Sequence, residues 1–225
     1  MNKIIQVAGI IDSTEVKMLM GLGVEYLGFP LRLPVNKEDL SEEEAVKVIK
    51  KINSPHKGVL ITYLDNADEI IGFCNKLNVK VVQLHGKIEI EQLKLLKTLR
   101  SDIEVIKSLV VHGDNFLELE NMVYSLSKWI DIFITDTYDP STGASGATGK
   151  THDWNISRRL IEISPKPVIL AGGLNPSNVR EAILATNPAG VDVHTGIESA
   201  NGRKERDLTL KFITESREAF EKLEK

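Results

Sequence analysis

Asp136 follows an apolar run, Ile132-Phe133-Ile134-Thr135, and opens a long loop of small residues that continues to Lys150. A carboxyl at the end of a buried strand, beneath such a loop, is placed to give or take a proton, although an acid there can also be a plain turn or cap residue. Two glycine-containing turns close later runs: Ala171-Gly172-Gly173-Leu174 after Val168-Ile169-Leu170, and His194-Thr195-Gly196 after Val191-Asp192-Val193. With so little side-chain bulk, the backbone N–H groups of Gly172, Gly173, Thr195 and Gly196 can approach and surround a phosphate. Either turn alone could need glycine only for its geometry; the matching pair favours an anion. Further groups able to move a proton are His85 and His194, after the fourth and eighth runs, and Asp65 after the third; His194 could instead donate to the phosphate, and an acid placed as Asp65 is often just a helix cap. Lys107, in Val105-Ile106-Lys107-Ser108, would suit an imine-forming lyase or aldolase. The histidines and carboxylates show no short ligand spacing, so no metal is expected.

These groups need a frame. Continuous apolar runs predict strands over Ile4–Ala8, Tyr26–Phe29, Gly58–Tyr63, Val79–Leu84, Val105–Leu109, Ile130–Thr135, Pro167–Ala171 and Gly190–His194, the pattern of parallel strands covered on both faces. Helical periodicity lies between them. Asp12-Ser13-Thr14-Glu15 supplies a cap, Ser41-Glu42-Glu43-Glu44 reads as a capping box, and Asn175-Pro176 precedes the seventh helix. From Arg206 to Lys225 apolar residues recur at helical spacing among charges, an eighth helix. Eight strand–helix units make an α/β protein, a single (β/α)₈ TIM barrel over residues 1–225, with its functional site at the C-terminal ends of the strands. A doubly wound sheet is the alternative, but no G-x-G-x-x-G follows the first strand.

Bulk properties narrow the partners. Of 225 residues, 42% are hydrophobic and 27% charged, enough for a core and a solvated surface. A net charge of −4 offers no basic excess for nucleic acid, while a local phosphate site remains compatible with it. One cysteine, Cys74, excludes an internal disulfide; its setting in Ile70-Ile71-Gly72-Phe73-Cys74 reads as a buried helix face. The N-terminal apolar run is too short for a signal peptide or membrane span, so the expected setting is the cytoplasm, with no membrane partner.

Several motifs in order resemble the phosphoribosylanthranilate isomerase family: Gln83-Leu84-His85-Gly86, Asp136, Gly146-Ala147-Thr148-Gly149-Lys150-Thr151-His152-Asp153-Trp154, Ala171-Gly172-Gly173-Leu174-Asn175-Pro176 and Val191-Asp192-Val193-His194-Thr195-Gly196-Ile197-Glu198. The resemblance implies a (β/α)₈ barrel of tryptophan biosynthesis that converts an aminoaldose phosphate into an aminoketose phosphate, an Amadori rearrangement needing no cofactor. It makes Asp136 the acid that protonates the ring oxygen, and Gly149 joins the expected substrate-binding residues. The family's base is a cysteine ending the first strand in a Lys-x-Cys-Gly pattern. Here the segment is Gln6-Val7-Ala8-Gly9, so Ala8 replaces the thiol and Gln6 the lysine. After the second strand the family's Ser-Pro-Arg turn, whose arginine holds the anthranilate carboxylate, becomes Leu33-Pro34-Val35; Arg32 either reaches that carboxylate from another position or is a surface charge.

The leading expectation is therefore an isomerase acting on a phosphorylated sugar or its N-glycoside, with Asp136 as acid and a substitute base among Asp65, His85 and His194. A divergent paralogue on another phosphosugar, a Schiff-base lyase using Lys107, and a barrel that binds phosphosugar without catalysis are the alternatives. The ligand is a small phosphorylated molecule, and the chain is expected as a monomer or homodimer.

Overall fold

The structure, a computed structural model, describes residues 3–34, 40–139, 144–145 and 151–224. Eight parallel strands close into a barrel: β1 Ile4–Val7, β2 Tyr26–Pro30, β3 Lys57–Thr62, β4 Val81–Leu84, β5 Glu104–Val111, β6 Ile132–Asp139, β8 Val168–Leu170 and β9 Gly190–Val193. Neighbours pair in chain order, β1 closes on β9 through Val7 beside Val193, and β6 pairs with both β5 and β8. Helices α1 Ser13–Gly21, α2 Glu42–Ile49, α3 Ala67–Leu77, α4 Ile90–Leu99, α5 Phe116–Leu126, α6 Trp154–Ile163, α7 Val179–Thr186 and α8 Arg206–Leu223 alternate with the strands.

The period of two divides each strand between two cores. Outward residues such as Val7, Leu27, Leu60, Val105, Phe133 and Val191 join the apolar faces of the helices in one large cluster. Inward residues form the second: Ala8, Tyr26, Val59, Ile61, Val81, Ile106, Ile132, Ile134, Ile169 and Ala171. The strands are continuous apolar runs because both of their faces are buried.

The caps read from the sequence form. Asp12 accepts from the N–H groups of Thr14 and Glu15, and Ser41 and Glu44 make a reciprocal box, each contact typically contributing about 1 kcal/mol. Cys74 is buried in α3, where burial pushes its thiol up to about 12 and leaves it unreactive. Two features depart from the expected pattern. β6 continues to Asp139 and pairs antiparallel with a two-residue strand, β7 Ala144–Ser145. The seventh helix begins only at Val179, because Asn175 and Asn178 first bind the N–H groups of Ser177 and Asn175 and hold a turn. Among the described residues no helix is long and apolar enough to cross a membrane.

Candidate active site

Apolar residues fill the inner face at the bottom of the barrel and give way to polar ones towards the C-terminal ends. Ile132 and Ile134 point inward, so the pleat also aims Asp136 at the mouth. Its Oδ1 accepts from the Thr137 N–H at 2.7 Å, and Oδ2 lies 3.8 Å from His85 Nε2. His85 stands at the end of β4, with Nδ1 2.9 Å from Ser108 Oγ and its ring edge-on to Tyr63 at 4.9 Å. Burial pushes the Asp136 carboxyl up to about 7, against the lowering effect of the Thr137 N–H. Tyr63 is raised to about 12 by its own burial and by Asp136. A carboxyl that keeps its proton near neutrality is a competent general acid.

Asp192 is a second buried acid, and the sequence reading passed over it. Its register partner on β1 is Gln6, and Gln6 Nε2 bridges to Gln83 Oε1 at 2.8 Å. Burial, then the nearby Asp136 charge, raise Asp192 to about 7, while a hydrogen bond from Gln6 and the Lys204 charge act the other way. Asp192 Oδ1 and Gln6 Oε1 are buried without a hydrogen-bond partner among the described residues. The available signal was an acid alternating with Val191 and Val193 inside the last apolar run. Gln6 stands where the resembling family has lysine, and a neutral amide cannot hold Asp192 ionised as an ammonium would. Gln6→Lys is expected to draw the Asp192 titration down by about one pH unit or more, measured by carboxyl ¹³C NMR. An unmoved titration would show that position 6 does not control this carboxyl.

The two late turns meet at the rim. Gly172 and Gly173 have φ of 104° and 63°, conformations that only glycine adopts without strain. The Gly173 carbonyl accepts from Asn178 Nδ2 at 3.1 Å and from Asn175 Nδ2 at 3.4 Å. In a planar trans peptide that turns the Leu174 N–H away from these amides. Among the described residues, no hydrogen bond is donated by the N–H groups of Gly172, Gly173 or Leu174. Thr195 and Gly196 open a 3₁₀ turn, Thr195–Ile197, so close to the first turn that a Cβ on Gly196 would lie 1.9 Å from the Leu174 oxygen. Thr137 Oγ1 and His152 Nδ1, 2.8 Å apart, press on the bare Cα of Gly172, and His152 Nε2 reaches Ser157 Oγ at 2.5 Å. Burial drops His152 to about 4, so it ties the end of β6 to α6 as a neutral ring.

The remaining predicted residues scatter. His194 is at the mouth on the end of β9, its ring against Gly9. Asp65 is exposed on the loop before α3, and Asn66 rather than Asp65 caps that helix. Arg32 Nε pairs with Glu42 Oε1 of α2 at 2.8 Å, and its guanidinium lies 4.0 Å over the Phe73 ring of α3. Gly149 lies outside the described residues, as does Val35. Lys107 alternates with inward Ile106 and Ser108, which turns it to the helix-facing side. Its Nζ is held by the Leu84 and Ser108 carbonyls at 3.2 and 3.0 Å, and burial lowers it to about 8.

Residues 5–215 match the family described as PRAI, N-(5'-phosphoribosyl)anthranilate (PRA) isomerase. The chain belongs to this family. Among relatives, N-(5'-phosphoribosyl)anthranilate isomerase 2 of Methanosarcina mazei is 33% identical over 220 residues, covering 97% of this chain and 96% of its own. The N-(5'-phosphoribosyl)anthranilate isomerase of Methanosarcina acetivorans is 30% identical over 222 residues, covering 95% and 92%. In structure, the phosphoribosyl anthranilate isomerase of Thermotoga maritima superposes with a TM-score of 0.81 at 25% identity, over 96% of this chain and all (100%) of that one. A phosphoribosyl anthranilate isomerase in complex with reduced 1-(o-carboxyphenylamino)-1-deoxyribulose 5-phosphate gives 0.79 at 22% identity, with 96% and 100% covered. Membership in the PRA isomerase family places the chain among isomerases, not lyases or aldolases, in keeping with an outward Lys107.

Proposed function

We propose that this chain catalyses the Amadori rearrangement of N-(5'-phosphoribosyl)anthranilate, with Asp136 as general acid and the turns at Gly172-Gly173 and Thr195-Gly196 as the phosphate cradle. The observation that carries the reading is the buried Asp136 carboxyl at the barrel mouth, raised to about 7 and so still a proton donor near neutrality. Asp136 gives its proton to the ribose ring oxygen, the C1–O bond breaks, and the anthranilate nitrogen lone pair closes a C1=N iminium. A base then removes the C2 proton, the C–H pair forms C1=C2, and the iminium pair returns to nitrogen. The resulting enolamine tautomerises to the ketone. No step requires a metal or organic cofactor.

Support for the cradle comes from the three consecutive N–H groups with no acceptor among the described residues and from the close approach of the two turns. The complex reported for a structural neighbour contains the reduced form of an aminoketose phosphate. On this reading residues 1–225 act as one domain in the cytoplasm, as a monomer or homodimer. A net charge of −4 gives no basic excess for nucleic acid.

Complementation of a tryptophan auxotroph lacking the isomerase tests the activity. Growth is expected with this chain and none with Asp136→Asn. Failure to grow despite good expression of soluble protein would reject the assignment.

A further inference from the structure

We infer that the base has moved from the first barrel strand to the last: His194 takes the C2 proton, and Glu198 is the positioning residue that holds the imidazole for it. This rests on the isomerase reading above. Position 8, where the resembling family carries its thiol, holds Ala8, whose methyl group cannot accept a proton. The β1–β9 register runs Ile4 beside Gly190 to Val7 beside Val193, and the Ala8 N–H donates to the Val193 carbonyl at 3.0 Å. One residue further on, past the last register pair, come Ala8 and His194. Ala8 belongs to the inward set, and the alternation that turns Val191 and Val193 outward turns His194 with Asp192 towards the mouth. The ring lies so close over Gly9 that a Cβ there would sit 1.9 Å from His194 Nε2. A basic group has therefore been lost on one strand and gained beside it on the next.

The imidazole also has a carboxylate beside it. His194 Nε2 is 3.5 Å from Glu198 Oε1, and that oxygen is 2.5 Å from Lys204 Nζ. The Lys204 side chain is 0% exposed, the Lys204 backbone N–H donates to Glu15 Oε1 at 2.9 Å, and Glu198 and Lys204 form an antiparallel bridge. A carboxylate on that side favours the tautomer with its proton on Nε2, which leaves the lone pair on Nδ1. The His85 nitrogens are committed differently, Nδ1 to Ser108 and Nε2 towards Asp136, and Asp65 is exposed outside the mouth.

The charged groups around the ring are Glu198 and Lys204, with Asp192 one pleat deeper on β9. Burial, then the Lys204 ammonium, lower His194 to about 3, which keeps the resting ring neutral at the cost of basicity. In the balanced step, Nδ1 takes the C2 proton, and the imidazolium then protonates C1 of the enolamine. The enol O–H proton passes to the Asp136 carboxylate, directly or through water, as C2=O forms. Both groups end as they began.

The test compares His194→Gln in the native chain and in an Ala8→Cys background, where a thiol returns to the first strand. Turnover of phosphoribosylanthranilate and affinity for reduced 1-(o-carboxyphenylamino)-1-deoxyribulose 5-phosphate are measured for each. In the native background kcat is expected to fall at least about 100-fold with KM and analogue affinity within about threefold. In the Ala8→Cys background the same change is expected to cost less than about tenfold. Glu198→Gln is expected to follow the same contrast, which a purely structural loss, equal in both backgrounds, would not.

Retention of more than a tenth of kcat by native-background His194→Gln overturns the inference, and so do equal losses in the two backgrounds. A native chain that binds the analogue but turns over only after Ala8→Cys also overturns it, while leaving the site reading intact. A native chain that neither binds nor turns over removes the isomerase reading and this inference together.

Discussion

Asp136→Asn is expected to lower kcat by about 10³-fold while making the folded chain more stable above neutral pH. An asparagine keeps the shape and the contact with the Thr137 N–H but has no proton to give the ring oxygen. The stability gain follows from linkage. The Asp136 carboxyl has a folded-state pKa of about 7 against 3.8 for the free group. Between those values the folded chain binds more proton than the unfolded one, so stability falls as pH rises from about 4 to 7 and then levels. Removing the carboxyl removes that loss, a gain of up to roughly 4 kcal/mol at pH 8 that fades towards pH 4. Denaturant unfolding of both proteins at pH 4.5 and 8, beside steady-state turnover, measures the two effects. Equal stability differences at both pH values would show that Asp136 ionises freely in the fold, and the acid assignment would lose its basis.

The second large effect is expected at Gly196. A Cβ there would sit 1.9 Å from the Leu174 carbonyl oxygen and 2.9 Å from Asn175 Cβ. The nearer atom is backbone, pinned in a turn whose Gly173 carbonyl is held by Asn175 and Asn178, so no side chain can swing aside. Gly196→Ala should force the two rim turns apart, with a stability loss of about 1–3 kcal/mol. Misaligning even two charge-assisted N–H bonds to a dianion should weaken phosphosugar binding by on the order of 100-fold. Calorimetric titration with the reduced aminoketose phosphate would measure this. Gly72→Ala in α3, where a Cβ meets nothing within 4 Å, is the matched control and should leave binding unchanged. Unaltered affinity in Gly196→Ala would place the phosphate elsewhere in the mouth.

These two effects pull against each other in an instructive way. Asp136 and Asp192 are both kept near 7 by burial, a state that destabilises the fold at neutral pH and supplies a donor where a reaction needs one. The glycine turns stabilise their own geometry and give no slack for substitution. Function in this barrel therefore draws on a few costly positions at one end, while the apolar lower layers carry the stability.

The eight strands, their order and the caps at Asp12 and Ser41 were legible in the sequence, because their causes are local. A strand buried on both faces must be apolar throughout, and a cap needs its oxygen within three residues of the N–H it serves. Asp136 and the paired turns were legible as candidates for a related reason: each ends a buried run, and the two glycine turns recur on consecutive strands. Other features depended on closure of the barrel. His194 comes to lie beside Ala8 only because β9 pairs with β1 in one register, and a slip of one residue would reverse every side chain. The same register sets Gln6 beside Asp192 and so decides that carboxyl's protonation. The outward turn of Lys107 and the seat of Arg32 between Glu42 and Phe73 were undecided for the same reason. Composition and periodicity say what each segment becomes; which side chains meet across the barrel is set by hydrogen-bonded pairing between strands far apart in the chain, and that pairing exists only once the sheet has closed.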